Sequence, residues 1–128
     1  MRRRDIIEKL GLTLSFLIAA FATWLMLQPA QSDTLPSIPH IDKLAHFVAF
    51  FFIALPAIIV RSRSWIVVVL AASAFGGLIE IIQPFFGRHR DFADFVADVM
   101  GVLVAVPVGQ WLSKRWQLDK RKGPQRQQ

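Results

Sequence analysis

The sequence predicts an all-α membrane protein, a bundle of four transmembrane helices with both termini in the cytoplasm. Three observations lead to this prediction. The 128 residues are 54% hydrophobic and only 19% charged, whereas soluble domains carry about 25% charged residues. Four long stretches are almost free of charge, and most basic residues lie on one side of them. This composition excludes a disordered chain, and the absence of cysteine excludes a disulfide framework, a thiolate metal site and thiol catalysis.

Each charge-poor stretch has the length of a membrane-spanning helix, which needs about 20 apolar residues. The four predicted helices cover residues 10–27, 44–60, 64–86 and 92–113. The first carries no charge, the second has His46 as its single ionisable group, the third contains Glu80, and the fourth contains Asp94 and Asp98. The other residues suffice only for short connections, so we expect one membrane domain over residues 1–128 with a basic cytoplasmic tail at 114–128.

The first stretch has a second interpretation, as a secretory signal peptide, because it follows Met1-Arg-Arg-Arg. Signal peptides have a shorter apolar region of about 7–15 residues, and they end in a small-x-small cleavage site. The sequence Gln28-Pro-Ala-Gln matches such a site poorly. We therefore expect residues 10–27 to be retained as a helix.

The positions of the basic residues predict the orientation. Twelve of the 15 lysines and arginines precede the first helix, join the second to the third, or follow the fourth. Only Lys43, Arg88 and Arg90 lie on the opposite side. Because basic loops remain in the cytoplasm, both termini are expected there. The net charge of +6 then reflects membrane topology, and nucleic acid binding is not expected.

Polar residues interrupt three of the apolar stretches at one membrane depth, in pairs spaced three or four apart that share a helix face. An acidic residue near the centre of a membrane helix costs about 2.5–3.5 kcal/mol, so these faces are expected to turn towards each other and form one outward-facing site. The candidate ligand-binding residues are Asp42, Lys43, His46, Glu80, Gln83, Arg88, Asp94 and Asp98. The candidates for catalysis among them are His46, Glu80, Asp94 and Asp98.

Several of these polar residues also have a purely structural interpretation. Asp42 and Asp91 can cap the second and fourth helices, because an aspartate can accept hydrogen bonds from the first free backbone N–H groups. His46 can be a hydrogen-bonded residue between helices. Small residues allow close helix packing in membranes, which is the role expected of the glycines at 76, 77 and 101.

The polar residues, taken in order, resemble the VanZ-like integral membrane proteins. The pattern is Asp42-Lys43-x-x-His46, Glu80-x-x-Gln83, Gly87-Arg88 and Asp94-x-x-x-Asp98-x-x-Gly101, and the resemblance covers roughly residues 42–109. Many members carry asparagine where this chain has Asp98. The resemblance implies a multi-pass protein of the bacterial cytoplasmic membrane, in a family named for a role in glycopeptide (teicoplanin) resistance at the cell envelope.

Three functions are compatible with an outward-facing polar site. The first is a binding module for a lipid headgroup or lipid-linked wall precursor, with Arg88 and Lys43 on the phosphate, which would affect glycopeptide susceptibility. The second is an enzyme acting on a lipid, in which His46 and the acids bind a divalent metal or act as general acid and base. The third is a small transporter, because intramembrane acids mark ion paths.

The sequence favours the first of these functions. It contains no compact metal motif such as H-E-x-x-H, and no cofactor is predicted. Binding of a divalent metal is left as an alternative. No continuous polar path crosses the membrane within one copy, which disfavours a transporter. Membrane lipids are the expected partners, and the oligomeric state is left open.

Overall fold

The computed structural model describes residues 3–28 and 40–121, and of residues 117–121 only the backbone. Within these residues the structure is helical, and it contains no strand. The helices are α1 (Arg3–Met26), α2 (Ile41–Val60), α3 (Trp65–Ile82) and α4 (Phe92–Arg121). Short 3-10 segments, Ser62–Ser64 and Gln83–Phe86, flank α3. The predicted all-α fold is confirmed, and the predicted tail lies outside the described residues from 122 onwards.

Four segments are long and apolar enough to cross a membrane, as the sequence predicted. Their mean hydropathy lies between 1.6 and 2.2, and each carries large apolar side chains on its outer surface. Phe16 on α1 and Phe92 on α4, for example, are 72% and 76% exposed. Such surfaces are suited to the hydrocarbon interior of a bilayer, where apolar side chains have no need to be buried in protein.

Three helices extend beyond the predicted apolar stretches, because backbone hydrogen bonding continues through charged residues at a helix end. α3 is instead shorter than its predicted stretch 64–86 and ends at Ile82. α1 begins at Arg3 instead of residue 10, and α4 continues to Arg121 instead of 113. α2 begins directly after His40, which has a left-handed backbone (φ 66°). Asp42 therefore lies inside the first turn of α2, and its predicted role as the cap of this helix is wrong.

Contacts at the helix ends define the arrangement of the bundle. Near the start of α1, Glu8 forms an ion pair of 2.6 Å with Arg61, just beyond the end of α2, so these two helices are antiparallel. α2 packs most extensively against α4 and next against α1. Polar contacts join the first turns of α2 and α4, which therefore begin at the same end. We call this end, which also includes the C-terminus of α3 and the loop 87–91, the polar end. The opposite end is called the basic end.

One stripe of each of the last three helices is buried. On α2 it consists of residues 46, 50, 53, 54, 57 and 58, a spacing that places them on one helix face. The apolar core includes Phe50, Ile58, Ile79, Val102 and Ala105. At the polar end the same stripes continue into charged and polar side chains, so these point into the bundle.

Two glycines allow the helices around this core to approach closely. A Cβ at Gly101 would overlap the carbonyl oxygen of Phe47 and lie 3.0 Å from the backbone nitrogen of Phe51, so α4 touches the backbone of α2 there. A Cβ at Gly76 would lie 2.7 Å from Asp98 Oδ2. The predicted packing role is confirmed for both. It is wrong for Gly77, where a Cβ would meet only a phenylalanine ring at an ordinary 3.5 Å.

Candidate functional site

The centre of the polar end is a buried pair formed by His46 of α2 and Asp98 of α4. Their side chains are 2% and 0% exposed, and His46 Nδ1 lies 2.8 Å from Asp98 Oδ1. His46 occupies the buried stripe one turn before Phe50, and Asp98 occupies that of α4 one turn before Val102. The hydrogen bond fixes both side chains, and Nε2 of the imidazole has no partner among the described residues.

Glu80 of α3 completes a group of three buried ionisable side chains with this pair. One ligand atom from each of the three residues can be chosen such that all lie within 4.8 Å of one another. Glu80 Oε2 accepts a hydrogen bond of 3.1 Å from the backbone N–H of Asp91, whereas Oε1 has no partner within residues 3–28 and 40–121. The geometry therefore brings an imidazole and two carboxylates from three helices to one point. A set of nitrogen and oxygen donors of this kind can hold a metal ion or move a proton.

Lys43 forms a second, more exposed group beside these residues. Its Nζ lies 2.7 Å from Asp91 Oδ2 and 3.2 Å from Asp94 Oδ1. The hydrogen bond from this ammonium, helped by the backbone N–H of Ala93, lowers the pKa of Asp91 below the ordinary aspartate value. Lys43 thus links the loop before α4 to the buried carboxylate of Asp94, which is 7% exposed.

Asp91 has a larger role than its sequence position suggested. Its Oδ1 accepts a hydrogen bond of 2.9 Å from Ala93 N, which is the capping contact predicted for the start of α4. The same residue also binds Lys43 through Oδ2 and Glu80 through its backbone N–H. The sequence signal was present, because Asp91 lies among the other acids, but capping was a sufficient explanation for an aspartate in front of a helix.

Arg88, Asp42 and Gln83 lie at the edge of the buried group, where α1 ends. Arg88 Nη2 is 3.8 Å from Asp42 Oδ1, and its Nη1 donates to the carbonyl oxygen of Gln28 (3.4 Å). Gln83 is buried and donates to Met26 O (3.4 Å). Arg88 therefore pairs with the exposed carboxylate of Asp42, and the buried acids find their partners elsewhere.

A groove between α1 and α2 leads to this end of the bundle. It has a volume of about 570 Å³, and it ends at Asp42, His46 and Arg88. We call it the α1/α2 groove; its apolar wall includes Ile18, Phe21, Leu25, Val48 and Phe52. A second space of about 770 Å³, the α3/α4 groove, is lined by Gly77, Leu78, Phe92, Phe95, Arg90 and Glu80. The buried group thus borders both grooves: His46 lines the α1/α2 groove, and Glu80 lines the α3/α4 groove.

All eight predicted ligand-binding residues lie at the polar end, but in different settings. Five are buried, namely His46, Glu80, Gln83, Asp94 and Asp98. Lys43 and Arg88 are partly exposed, and Asp42 has 66% of its side chain exposed. The four candidates for catalysis divide accordingly, since Asp94 is engaged by Lys43 while the other three form the buried group.

A comparison with known families agrees with the pattern of these residues. The model of a family described as VanZ/LLP1 matches residues 5–113 of the chain. This match extends beyond the polar pattern and includes most of α1. No curated protein and no solved structure matches the chain significantly. With the four apolar helices, the match confirms the predicted family resemblance and indicates a multi-pass membrane protein.

Proposed function

We propose that this chain, which belongs to the VanZ/LLP1 family, binds a phosphate-bearing lipid of the bacterial cell envelope at the polar end of its bundle. The observation that carries the proposal is the α1/α2 groove. Its wall is apolar, as a hydrocarbon chain requires, and its end presents a guanidinium, a carboxylate and an imidazole. An apolar pocket with a few polar groups at one end is the usual form of a small-molecule site.

Arg88 is the residue best placed for the phosphate. It lines the groove, its side chain is 21% exposed, and its ion pair with Asp42 is long at 3.8 Å. The planar guanidinium suits bidentate contact with phosphate oxygens. Lys43 is a weaker candidate than the sequence indicated, because two carboxylates already engage its ammonium group. The contact with the headgroup therefore rests mainly on Arg88.

The polar end is proposed to face the outside of the cell, in the cytoplasmic membrane. Arg3, Arg4, Arg61 and Arg63 all line a cavity of about 720 Å³ at the basic end, and basic side chains are retained on the cytoplasmic side. This orientation would place the α1/α2 groove in the outer leaflet, where lipid-linked wall precursors are used.

The proposal is tested by measuring the lipid that co-purifies with the protein. The wild-type chain and Arg88→Ala are purified in a mild detergent, and bound phospholipid and polyprenyl phosphate are quantified by native mass spectrometry. Arg90→Ala is the matched control, because Arg90 belongs to the same loop but lines the other groove. We expect Arg88→Ala to lose most of the bound phosphate-bearing lipid and Arg90→Ala to retain it. Equal retention by both variants would overturn the proposal.

An effect on glycopeptide susceptibility would follow if the bound lipid is a wall precursor. Expression of the wild-type chain in a teicoplanin-sensitive Gram-positive host should then change the inhibitory concentration, and Arg88→Ala should abolish the change at an equal protein level. An identical change with both chains would separate the drug phenotype from binding in the groove.

Chemistry on the lipid is a second candidate, favoured by one observation. His46 lines the end of the groove and Asp98 holds its Nδ1, so Nε2, which has no partner among the described residues, is the nitrogen left to act as a general base. Incubation of the protein with radiolabelled lipid distinguishes the two functions, because a binding module returns the lipid unchanged. Transport is less well supported, since beyond the polar end the buried stripe of α2 carries only apolar residues.

A further inference from the structure

The buried group contains more polar atoms than the described protein atoms satisfy. Four buried side-chain atoms lack a hydrogen-bond partner, namely His46 Nε2, Glu80 Oε1, Gln83 Oε1 and Asp98 Oδ2. Each belongs to a residue whose other polar atom is engaged and fixes the side chain. An unsatisfied buried polar group costs about 1–3 kcal/mol, and more when charged. A bound species that satisfies several of these atoms together would remove this cost.

The charge of the group also calls for a cation. Glu80 and Asp98 are buried carboxylates, and in the described structure neither forms an ion pair with a lysine or an arginine. Lys43 contacts Asp91 and Asp94, and Arg88 contacts Asp42. In the part of the chain that the structure describes, the one basic side chain that contacts either buried carboxylate is the imidazole of His46. Buried carboxylates without a compensating cation are strongly unfavourable, whereas a divalent ion balances two of them and leaves the imidazole neutral as a ligand.

We propose that His46, Glu80 and Asp98 bind one divalent transition-metal ion at the polar end. The three side chains come from three different helices, and their ligand atoms already lie within 4.8 Å of one another. One imidazole and two carboxylates, with no thiolate anywhere in the chain, suit Mn²⁺, Fe²⁺ or Zn²⁺ better than a soft ion. Affinity should rise from Mn²⁺ to Zn²⁺, as it does for most sites with nitrogen and oxygen ligands.

Two features of the surroundings favour such a site. A metal site needs a path of entry, and the two grooves reach the group through His46 and Glu80. Gly76 leaves room for Asp98 Oδ2, since a Cβ at this position would lie 2.7 Å from that atom. A larger residue at this position of α3 would therefore crowd the carboxylate.

The site is tested by metal binding to protein whose purification tag has been removed. The wild-type chain is stripped with a chelator and titrated with ZnCl₂ and, in parallel, MnCl₂, and elemental analysis follows desalting. We expect about one ion per chain, with Zn²⁺ bound more tightly than Mn²⁺. Substitution with Co²⁺ should give a visible absorption band that His46→Ala removes. Absence of a stoichiometric ion in the wild type would overturn the proposal.

Matched variants separate the site from adventitious binding. Asp98→Asn and Glu80→Gln keep the shape of each side chain and should lower Zn²⁺ affinity by about tenfold or more. His89→Ala removes an exposed histidine and should bind as the wild type does. Asp94→Asn removes a buried carboxylate one turn away that is not a proposed ligand, so it should lower the affinity less than Asp98→Asn does. Equal losses in Asp94→Asn and Asp98→Asn would refute the assignment.

The metal site does not depend on lipid binding in the α1/α2 groove, and the two proposals fail separately. Arg88→Ala should lose lipid and keep Zn²⁺, because Arg88 contacts none of the three proposed ligands. If Arg88→Ala loses lipid but the wild type binds no metal, the proposed function stands and the metal site is wrong. If the wild type binds stoichiometric metal but Arg88→Ala and Arg90→Ala retain equal amounts of lipid, the metal site stands and the proposed lipid binding is wrong.

Discussion

Replacement of Gly101 by alanine tests the close approach of α2 and α4 on which the polar end depends. Inside a helix, alanine is favoured over glycine by about 0.5–1 kcal/mol. At Gly101, however, the new Cβ would overlap the carbonyl oxygen of Phe47 and lie 3.0 Å from the backbone nitrogen of Phe51. Both are backbone atoms, so no change of rotamer can make room. Overpacking costs about 1–3 kcal/mol, and we expect the free energy of unfolding to fall by roughly 1–2 kcal/mol.

Gly77→Ala is the matched control for this prediction. The same substitution on α3 brings a Cβ to an ordinary 3.5 Å from the ring of Phe95, so helix propensity should dominate and the stability should stay equal or rise by up to about 1 kcal/mol. Unfolding in mixed detergent and SDS micelles, followed by the fluorescence of the four tryptophans, measures both variants. If Gly101→Ala is as stable as Gly77→Ala, the proposed backbone contact is wrong.

The same substitution should also affect the site. His46 precedes Phe47 directly, and its 2.8 Å hydrogen bond to Asp98 crosses the α2–α4 interface one turn from Gly101. Helices forced apart at this point would lengthen that bond. We therefore expect Gly101→Ala to lower Zn²⁺ affinity together with stability, and Gly77→Ala to change neither by much.

Two further predictions concern orientation and pH. Because the chain has no cysteine, a single introduced cysteine can be labelled without background from the protein. In intact cells, a membrane-impermeant maleimide should label His89→Cys and should not label Arg63→Cys. The reverse pattern would contradict the proposed orientation. Lys43 lowers the pKa of Asp91, so the ion pair stabilises the fold above the ordinary aspartate value of 3.8 and is lost as the pH falls through the lowered pKa. Thermal unfolding between neutral pH and pH 3 should show a weaker acid dependence in Asp91→Asn than in the wild type, and equal slopes would refute this role.

The positions of the helices could be predicted from sequence, because membrane solvation depends on local composition. A stretch such as 44–60 must be helical in lipid whatever its neighbours are. The exact ends of the helices could not be predicted from sequence as well. Arg3 and Asp42 are helical although they are charged, since a helix continues wherever its backbone hydrogen bonds can form, and hydropathy does not report this. Beyond Ile82, α3 is followed by the 3-10 segment Gln83–Phe86, which ends at Gly87, whose φ of 75° favours glycine.

The partners of the polar residues could be predicted only in part. Spacing places Asp94 and Asp98 on one face of α4, and the cost of burying charge turns that face inward. The choice of partner depends on how the helices are rotated and how closely they approach. Sequence alone therefore did not show that Lys43 would reach Asp94 or that Arg88 would pair with Asp42.

Asp98 supplies a charge on which the proposed cation site depends. An asparagine at this position could still accept a hydrogen bond from His46 Nδ1 through its amide oxygen. The pairing of α2 with α4 therefore does not require a carboxylate. What aspartate adds is a second negative charge near Glu80 and an unpartnered oxygen, Oδ2, in the space left by Gly76. Because the hydrogen bond between α2 and α4 does not need this charge, the charge supports the proposed metal site, since a divalent ion would balance it without adding a proton to either carboxylate.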